Sequence, residues 1–255
     1  MIEGKKPPLF IGTSGFSYPA WRGSFYPDKM PAREFLTHYS SRFRSLEVNS
    51  TFYRLPLVST LSRWYDLTPE GFVFAVKASR YITHIKRLGE PENTVVPFLE
   101  RVRSLGTKLG PILLQLPARF PFSGEVLKSF CETLDKGYRY VFEFRDPGWF
   151  REETCDILKR YGMAFCIYDF AGLRSPDTVT ADFVYIRLHG PLKDPYRGAY
   201  PVSFLKERAG AIREWLSEGR AVYVFFDNTM EGDAACDALK LSRLLAGERN
   251  PEDLL

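Results

Sequence analysis

Short apolar runs rich in β-branched and aromatic residues recur along the chain at 9–13, 45–49, 72–78, 112–116, 140–145, 163–169, 183–188 and 221–227. Most are bounded by Gly, Pro, Asn, Asp or Ser, which is how buried strands read in a sequence. Between them the apolar residues recur at spacings of three and four, predicting helices over 31–43, 56–67, 94–108, 123–136, 152–161, 201–218 and 232–245. Pro31 suits a first helical turn, Ser123 is placed to cap, and Gly137 and Gly162 are placed to stop. Stretches 16–30 and 81–92 read as loops, and 171–181 is turn chemistry rather than a full helix. Strands alternating with helices, without a composition break, predict an α/β fold. The expected architecture is a single (β/α)8 TIM-barrel domain over 1–255, with an N-terminal extension at 1–8 and a polar tail at 247–255. The rival, an open doubly wound sheet, more often has about five or six strands.

Parity along the strands carries the functional signal. Successive side chains face opposite sides, and in a barrel one side packs on helices while the other fills the interior. One parity holds Ser14, then Glu47 and Asn49, then Lys77, Gln115, the pair Glu143 and Arg145, and the series Tyr185, Arg187 and His189. The sixth and eighth strands end in Asp169 and Asp227. These positions turn polar only toward the C-terminal ends of the strands, where barrel active sites form. A purely structural salt-bridge network would bury many ions at several kcal/mol each. The pattern therefore favours a functional site, with the charged groups gathered around one pocket at the C-terminal mouth.

Composition narrows the chemistry. A formal net charge of +4 over 255 residues permits an anionic ligand without announcing a nucleic-acid binder. Arg145 and Arg187 suit bidentate binding of a phosphate or carboxylate, with Ser14 beside them. Glu143 and His189 are acid/base candidates, supported by Glu47 and Lys77. A lysine among interior apolar residues can serve as a base or a Schiff-base nucleophile, or simply pair with Glu47 or Glu143. Trp21, Tyr53 and Trp149 each follow a strand closely enough to wall a pocket. Asn49, Gln115, Asp169, Asp227 and His84, which sits in the turn after the third strand, complete the expected pocket.

Three histidines are too few for a dense zinc site, and no metal-ligand set is assigned. The carboxylates Glu47, Glu143, Asp169 and Asp227 leave a divalent cation, magnesium or manganese, open as a cofactor. The cysteines Cys131, Cys155, Cys166 and Cys236 show no ligand spacing, which fits a reducing, cytoplasmic setting. No run approaches membrane-spanning length, so no membrane partner is expected.

The motifs Ile11-Gly-Thr-Ser-Gly-Phe-Ser-Tyr18 with Trp21, Glu47-Val-Asn-Ser-Thr-Phe-Tyr53, and Lys77 with Thr83-His84 resemble the YecE-like group, domain-of-unknown-function family 72. Leu114-Gln-Leu-Pro117, Glu143-Phe-Arg145 with Trp149, Tyr185-Ile-Arg-Leu-His-Gly190 and Phe226-Asp-Asn-Thr229 continue the resemblance, in order, over nearly the whole chain. It implies a TIM barrel but supplies no reaction. Likeness to xylose-isomerase-like and apurinic-endonuclease-like barrels is analogy alone. Phe16 stands where the family usually has tryptophan, and Asp146-Pro-Gly148 replaces the usual His-Pro-Ser, so no role for a histidine after the fifth strand carries over.

The leading expectation is an enzyme acting by acid/base chemistry on an anionic sugar, nucleotide or phosphodiester, with a phosphoester or phosphodiester hydrolase as the first form. A nucleic-acid-binding barrel is the alternative, resting on Arg22, Arg54, Arg80, Lys86, Arg87, Lys193 and Arg197 among loop aromatics. A metal-dependent endonuclease-like hydrolase is the third.

Overall fold

The computed structural model describes residues 7–247. Most of the expected N-terminal extension and polar tail lies outside the described residues. The chain alternates β1 (Leu9–Thr13), α1 (Phe35–Arg42), β2 (Ser45–Val48), α2 (Val58–Leu67), β3 (Val73–Lys77), α3 (Pro91–Val102) and β4 (Leu109–Leu116). It continues through α4 (Gly124–Thr133), β5 (Tyr140–Phe144), α5 (Glu152–Arg160), β6 (Ala164–Phe170) and β7 (Leu173–Arg174). It ends with β8 (Phe183–Leu188), α6 (Val202–Ser217), β9 (Ala221–Phe226) and α7 (Asp233–Ala246). Strands neighbour one another in the order β1-β9-β8-β6-β5-β4-β3-β2, all parallel. The result is a nearly closed TIM-type barrel with helices between strands, as the alternating pattern predicts.

Differences from the expected elements are local. No helix separates β6 from β8; the short strand β7 instead folds back antiparallel on β6. The expected loop at 81–92 contains a π-helical turn, Tyr81–Ile85, which buries Thr83. Helix α3 starts at Pro91, where a missing N–H costs nothing. Helix α4 ends at Thr133, so Gly137 does not stop it; the Gly137 N–H donates to Asp135 within the following turn.

Two cores follow from the parity of the strands. Outward residues such as Ile11, Leu46, Val76, Phe142, Ile167 and Val224 pack against the helices. Inward residues such as Ala75, Leu113, Val141, Cys166, Tyr185 and Phe225 fill the barrel. Small inward side chains lie beside large aromatic ones, which lets the layers interdigitate. At the N-terminal end of the barrel Tyr223 stacks on Phe10 with ring centroids 4.8 Å apart.

The ladder is incomplete between β1 and β2. One parallel bridge joins Ser14 to Glu47, with the Gly15 N–H donating to the Glu47 carbonyl at 2.8 Å. Below it the Tyr39 hydroxyl, reaching in from α1, takes the place of a ladder rung. It accepts from the Thr13 N–H at 2.8 Å and donates to the Ser45 carbonyl at 3.0 Å. Gly12 makes this approach possible, because a Cβ there would stand 2.1 Å from the Ser45 oxygen. Removing the hydroxyl by Tyr39→Phe leaves a buried donor and acceptor unpaired. We expect a loss of roughly 1–3 kcal/mol in urea unfolding; a variant as stable as the parent would show that the hydroxyl does not close the barrel.

Candidate active site

The charged residues predicted to face inward converge on Arg187, a fully buried arginine on β8. All five of its N–H groups are used. Nε reaches the Glu47 carboxylate at 2.9 Å, Nη2 reaches Glu47 at 2.7 Å and Asp227 at 3.0 Å, and Nη1 reaches Glu143 at 2.7 Å and His189 Nε2 at 3.3 Å. Ser14 donates its hydroxyl to Glu47 at 2.5 Å, and Tyr185 donates to the other Glu47 oxygen at 2.6 Å. The second guanidinium, Arg145, pairs with Glu143 and sits 3.0 Å from His189 Nε2 through Nη2.

The electrostatics explain how these buried charges coexist. Burial pushes Glu143 upward, but Arg145 and Arg187 outweigh it and hold the carboxyl well below its usual range. Burial likewise works against Asp227, and Arg187 and His189 outweigh it. For Arg187 burial alone would favour the neutral form, whereas Glu47, Glu143 and Asp227 drive its pKa well above the ordinary value. His189 Nε2 faces two guanidinium nitrogens that can only donate, so that nitrogen is bare and the ring proton sits on Nδ1. Nδ1 lies 2.9 Å from Asp227 Oδ2, within ion-pair distance though not aligned for a full hydrogen bond.

Lys77 stands apart. Its ammonium lies over the Phe52 ring, 4.4 Å from the centroid, and no carboxylate pairs with it among the described residues. The Thr51 hydroxyl donates to the Lys77 carbonyl at 2.6 Å and fixes the end of β3. Burial, with Arg187 adding to it, lowers the lysine pKa to about 8 against partial compensation from Glu143, Asp227 and Glu47. A lysine depressed this far costs the fold about 3 kcal/mol near neutrality. An apolar side chain would avoid that cost. Beside it His84 meets the Phe52 ring edge-on at 5.0 Å, its pKa lowered by burial, Lys77 and Arg80.

Around this network the mouth retains solvent access at Tyr18, Asn49, Lys77, Gln115, Arg145 and Tyr196. A cavity of about 400 Å³ opens over the β1–β2 seam, bordered by Phe16, Tyr18, Glu47, Asn49 and Trp64. On the opposite side Tyr196 packs against His189 and Phe170. Its backbone is held at a φ of +70°, with its N–H donating to the His189 carbonyl. A bulky residue kept in that conformation is a local strain of the kind that clusters at functional sites.

Comparison with known proteins fits the motifs and the barrel together. Residues 10–254 match the family described as "Protein of unknown function DUF72". The chain belongs to the DUF72 family. It is 31% identical over 143 residues to the UPF0759 protein YecE of Escherichia coli K12, a match that covers 56% of this chain and 50% of that relative's length. It is 24% identical to the UPF0759 protein YunF of Bacillus subtilis, over 93% of this chain and 94% of that one. Among solved structures, a DUF72 family protein from Thermotoga maritima superposes with a TM-score of 0.86 at 30% identity, covering 94% and 99% of the two chains.

Within this DUF72 barrel the expected site residues fall in different settings. Arg187 and Ser14 have no donor left for an incoming anion, so of the expected anion-binding set only Arg145 keeps free N–H groups, at Nη1. Glu143, Glu47 and His189 are fully buried, and each contacts a guanidinium group of Arg145 or Arg187. Trp21 and Trp149 do not wall the mouth: each is fully buried, donating its indole N–H to the Thr229 and Phe120 carbonyls respectively. Tyr53 is 75% exposed on the outer surface of its loop.

Asp169 shares the outward parity of Ile167; its carboxylate accepts from Tyr200 and from the His189 N–H, outside the barrel interior. The inward residues of β6 are Cys166, Tyr168 and Phe170, and Arg145 lies over the last of these at 3.8 Å. Gln115 faces inward beside Glu143, and its amide makes no hydrogen bond among the described residues. No group of three or more His, Cys, Asp or Glu side chains is arranged to hold a metal ion among the described residues. The guanidinium of Arg187 fills the space that Glu47, Glu143 and Asp227 share. Of the basic loop residues, Arg22, Lys86 and Arg197 already bond to Met30, Glu90 and Glu231.

Arg187→Met would leave three buried carboxylates without their common cation. The expected loss is about 3–5 kcal/mol at neutral pH, measured by denaturant titration. Lowering the pH should narrow the gap. The parent loses stability as pH falls below the ordinary carboxylate pKa, because Glu143 and Asp227 have depressed values. In the variant Asp227 loses its guanidinium partner while Glu143 keeps Arg145, and a buried carboxyl left without its cation gains stability on protonation. A gap that widens in acid would contradict the network as described.

Proposed function

We propose that this chain is an enzyme whose mouth binds an anionic small molecule, a phosphorylated sugar, nucleotide or phosphodiester, and performs acid/base chemistry on it. The observation that carries the reading is the unequal use of charge. The network spends Arg187, Glu47 and Glu143 on one another, yet among the described residues at the C-terminal end of the barrel it leaves Arg145 Nη1 and Asp227 Oδ1 without a hydrogen-bond partner and Lys77 Nζ with only the Phe52 ring.

Each unspent group has a distinct task. Arg145 is held rigidly by Glu143 and by the Phe170 ring, so its free edge is preorganised for a phosphate or carboxylate. Lys77, with a pKa of about 8, carries a proton at neutrality and gives it up readily, which suits a general acid. Asp227, held ionised by Arg187, is its complementary base.

Inorganic phosphate should raise the melting temperature of the protein in a saturable way, while chloride at equal ionic strength should not. Arg145→Lys, which keeps a positive charge beside Glu143 but loses the planar fork, should abolish most of the shift. Stabilisation equal in chloride, or unchanged in the variant, would refute the anion site.

A further inference from the structure

The fate of Lys77 goes further than proton transfer. Three carboxylates lie on neighbouring inward positions, yet none comes within pairing distance of its amine; all three face Arg187 instead. On one side the amine rests on the face of Phe52, and Ala75 lies one inward position below it on β3. The charged groups that face it are Arg187, Glu143, Asp227 and Glu47 from the barrel, with His84 and Arg80 from the loop after β3. A lysine kept only to attract an anion would gain from full solvation and a distant counter-charge. This one is held half-buried, next to a cation that repels its proton.

From this geometry we infer that Lys77 is the nucleophile for an aldehyde or ketone carbon, forming an imine with a carbonyl-bearing anionic substrate. The inference rests on the reading of the mouth as a reaction site and names the substrate class. In the step, the neutral amine attacks the carbonyl carbon, a C–N bond forms and the C–O π pair moves to oxygen. One amine proton and one proton from solvent leave with that oxygen as one water, the nitrogen keeps its second proton as the protonated imine, and no oxidant or reductant is consumed. The protonated imine acidifies the adjacent carbon, and Asp227 Oδ1, without a hydrogen-bond partner among the described residues, is the base at the same mouth to accept that proton. The lowered lysine pKa supports the step. At neutral pH it leaves roughly two orders of magnitude more free amine than an ordinary lysine has.

The test is reductive trapping on the full chain. Protein is incubated near pH 7 with dihydroxyacetone phosphate or with dihydroxyacetone, reduced with sodium borohydride, and mapped by peptide mass spectrometry. The expected result is a single reduced adduct on the Lys77 peptide, formed far faster with the phosphorylated probe and missing in Lys77→Arg, which keeps the positive charge. Adducts spread at similar rates over surface lysines would overturn the imine. So would no adduct at Lys77 in a protein whose phosphate-induced thermal shift still depends on Arg145, and then the acid/base reading alone would stand. Equal trapping of both probes at Lys77 would uphold the imine and overturn the anion contact. Mapping of the parent protein decides these outcomes even if Lys77→Arg does not fold.

Discussion

A guanidinium with five N–H groups can satisfy at most a handful of acceptors, and in this barrel Arg187 satisfies all of its own at once. That saturation is the constraint on which the site depends. Carboxylates from β2, β5 and the end of β9 share one cation inside the barrel, and burying each would be costly without it. The same sharing fixes the barrel. Glu47 also anchors Ser14 across the β1–β2 seam, where the backbone ladder is thinnest and Tyr39 supplies a missing rung. Barrel closure and site electrostatics are therefore one structure, with Glu47 belonging to both.

The consequence is an unequal distribution of roles. Groups deepest in the barrel are fully paired and hold others in place, while the groups left over lie one layer higher, where solvent and a ligand can reach. Lys77 is held there at a cost to stability that an apolar side chain would avoid. Arg145 bridges the layers, tied at one edge to Glu143 and His189 and open at the other. Tyr196 closes over His189 from a strained backbone position, and Tyr18 borders the seam cavity together with Phe16 and Trp64.

Much of this was legible in the chain. Alternation of apolar runs and helical spacing implied the barrel, and parity placed Glu47, Lys77, Glu143, Arg145, Arg187 and His189 on inward positions. Parity also marks Tyr168 and Phe170 as the inward residues of β6; a polar residue, Asp169, drew attention to the wrong face of that strand. What parity cannot convey is depth and partner. Whether an arginine is spent on carboxylates or open to a ligand depends on how far along the barrel axis each strand is staggered, and that is set by closure rather than by local sequence. Trp21 and Trp149 mislead for a related reason. Large aromatics after strands pack their loops against the barrel as readily as they face its mouth, and backbone carbonyls buried nearby capture their indole N–H groups. The Tyr39 rung has no signal in the sequence beyond Gly12, whose missing side chain permits the close approach.

The central claim is that Lys77 is left without a carboxylate partner beside the network of charges centred on Arg187. Reductive 13C-methylation of the lysines, followed by NMR titration of the dimethylamino signals, reads it directly. A single resonance, assigned to position 77 by its loss in Lys77→Arg, should titrate near pH 8, well below an ordinary lysine. A Lys77 resonance titrating with the others would mean that the amine is solvated or paired with a carboxylate, and the account of the mouth would fail.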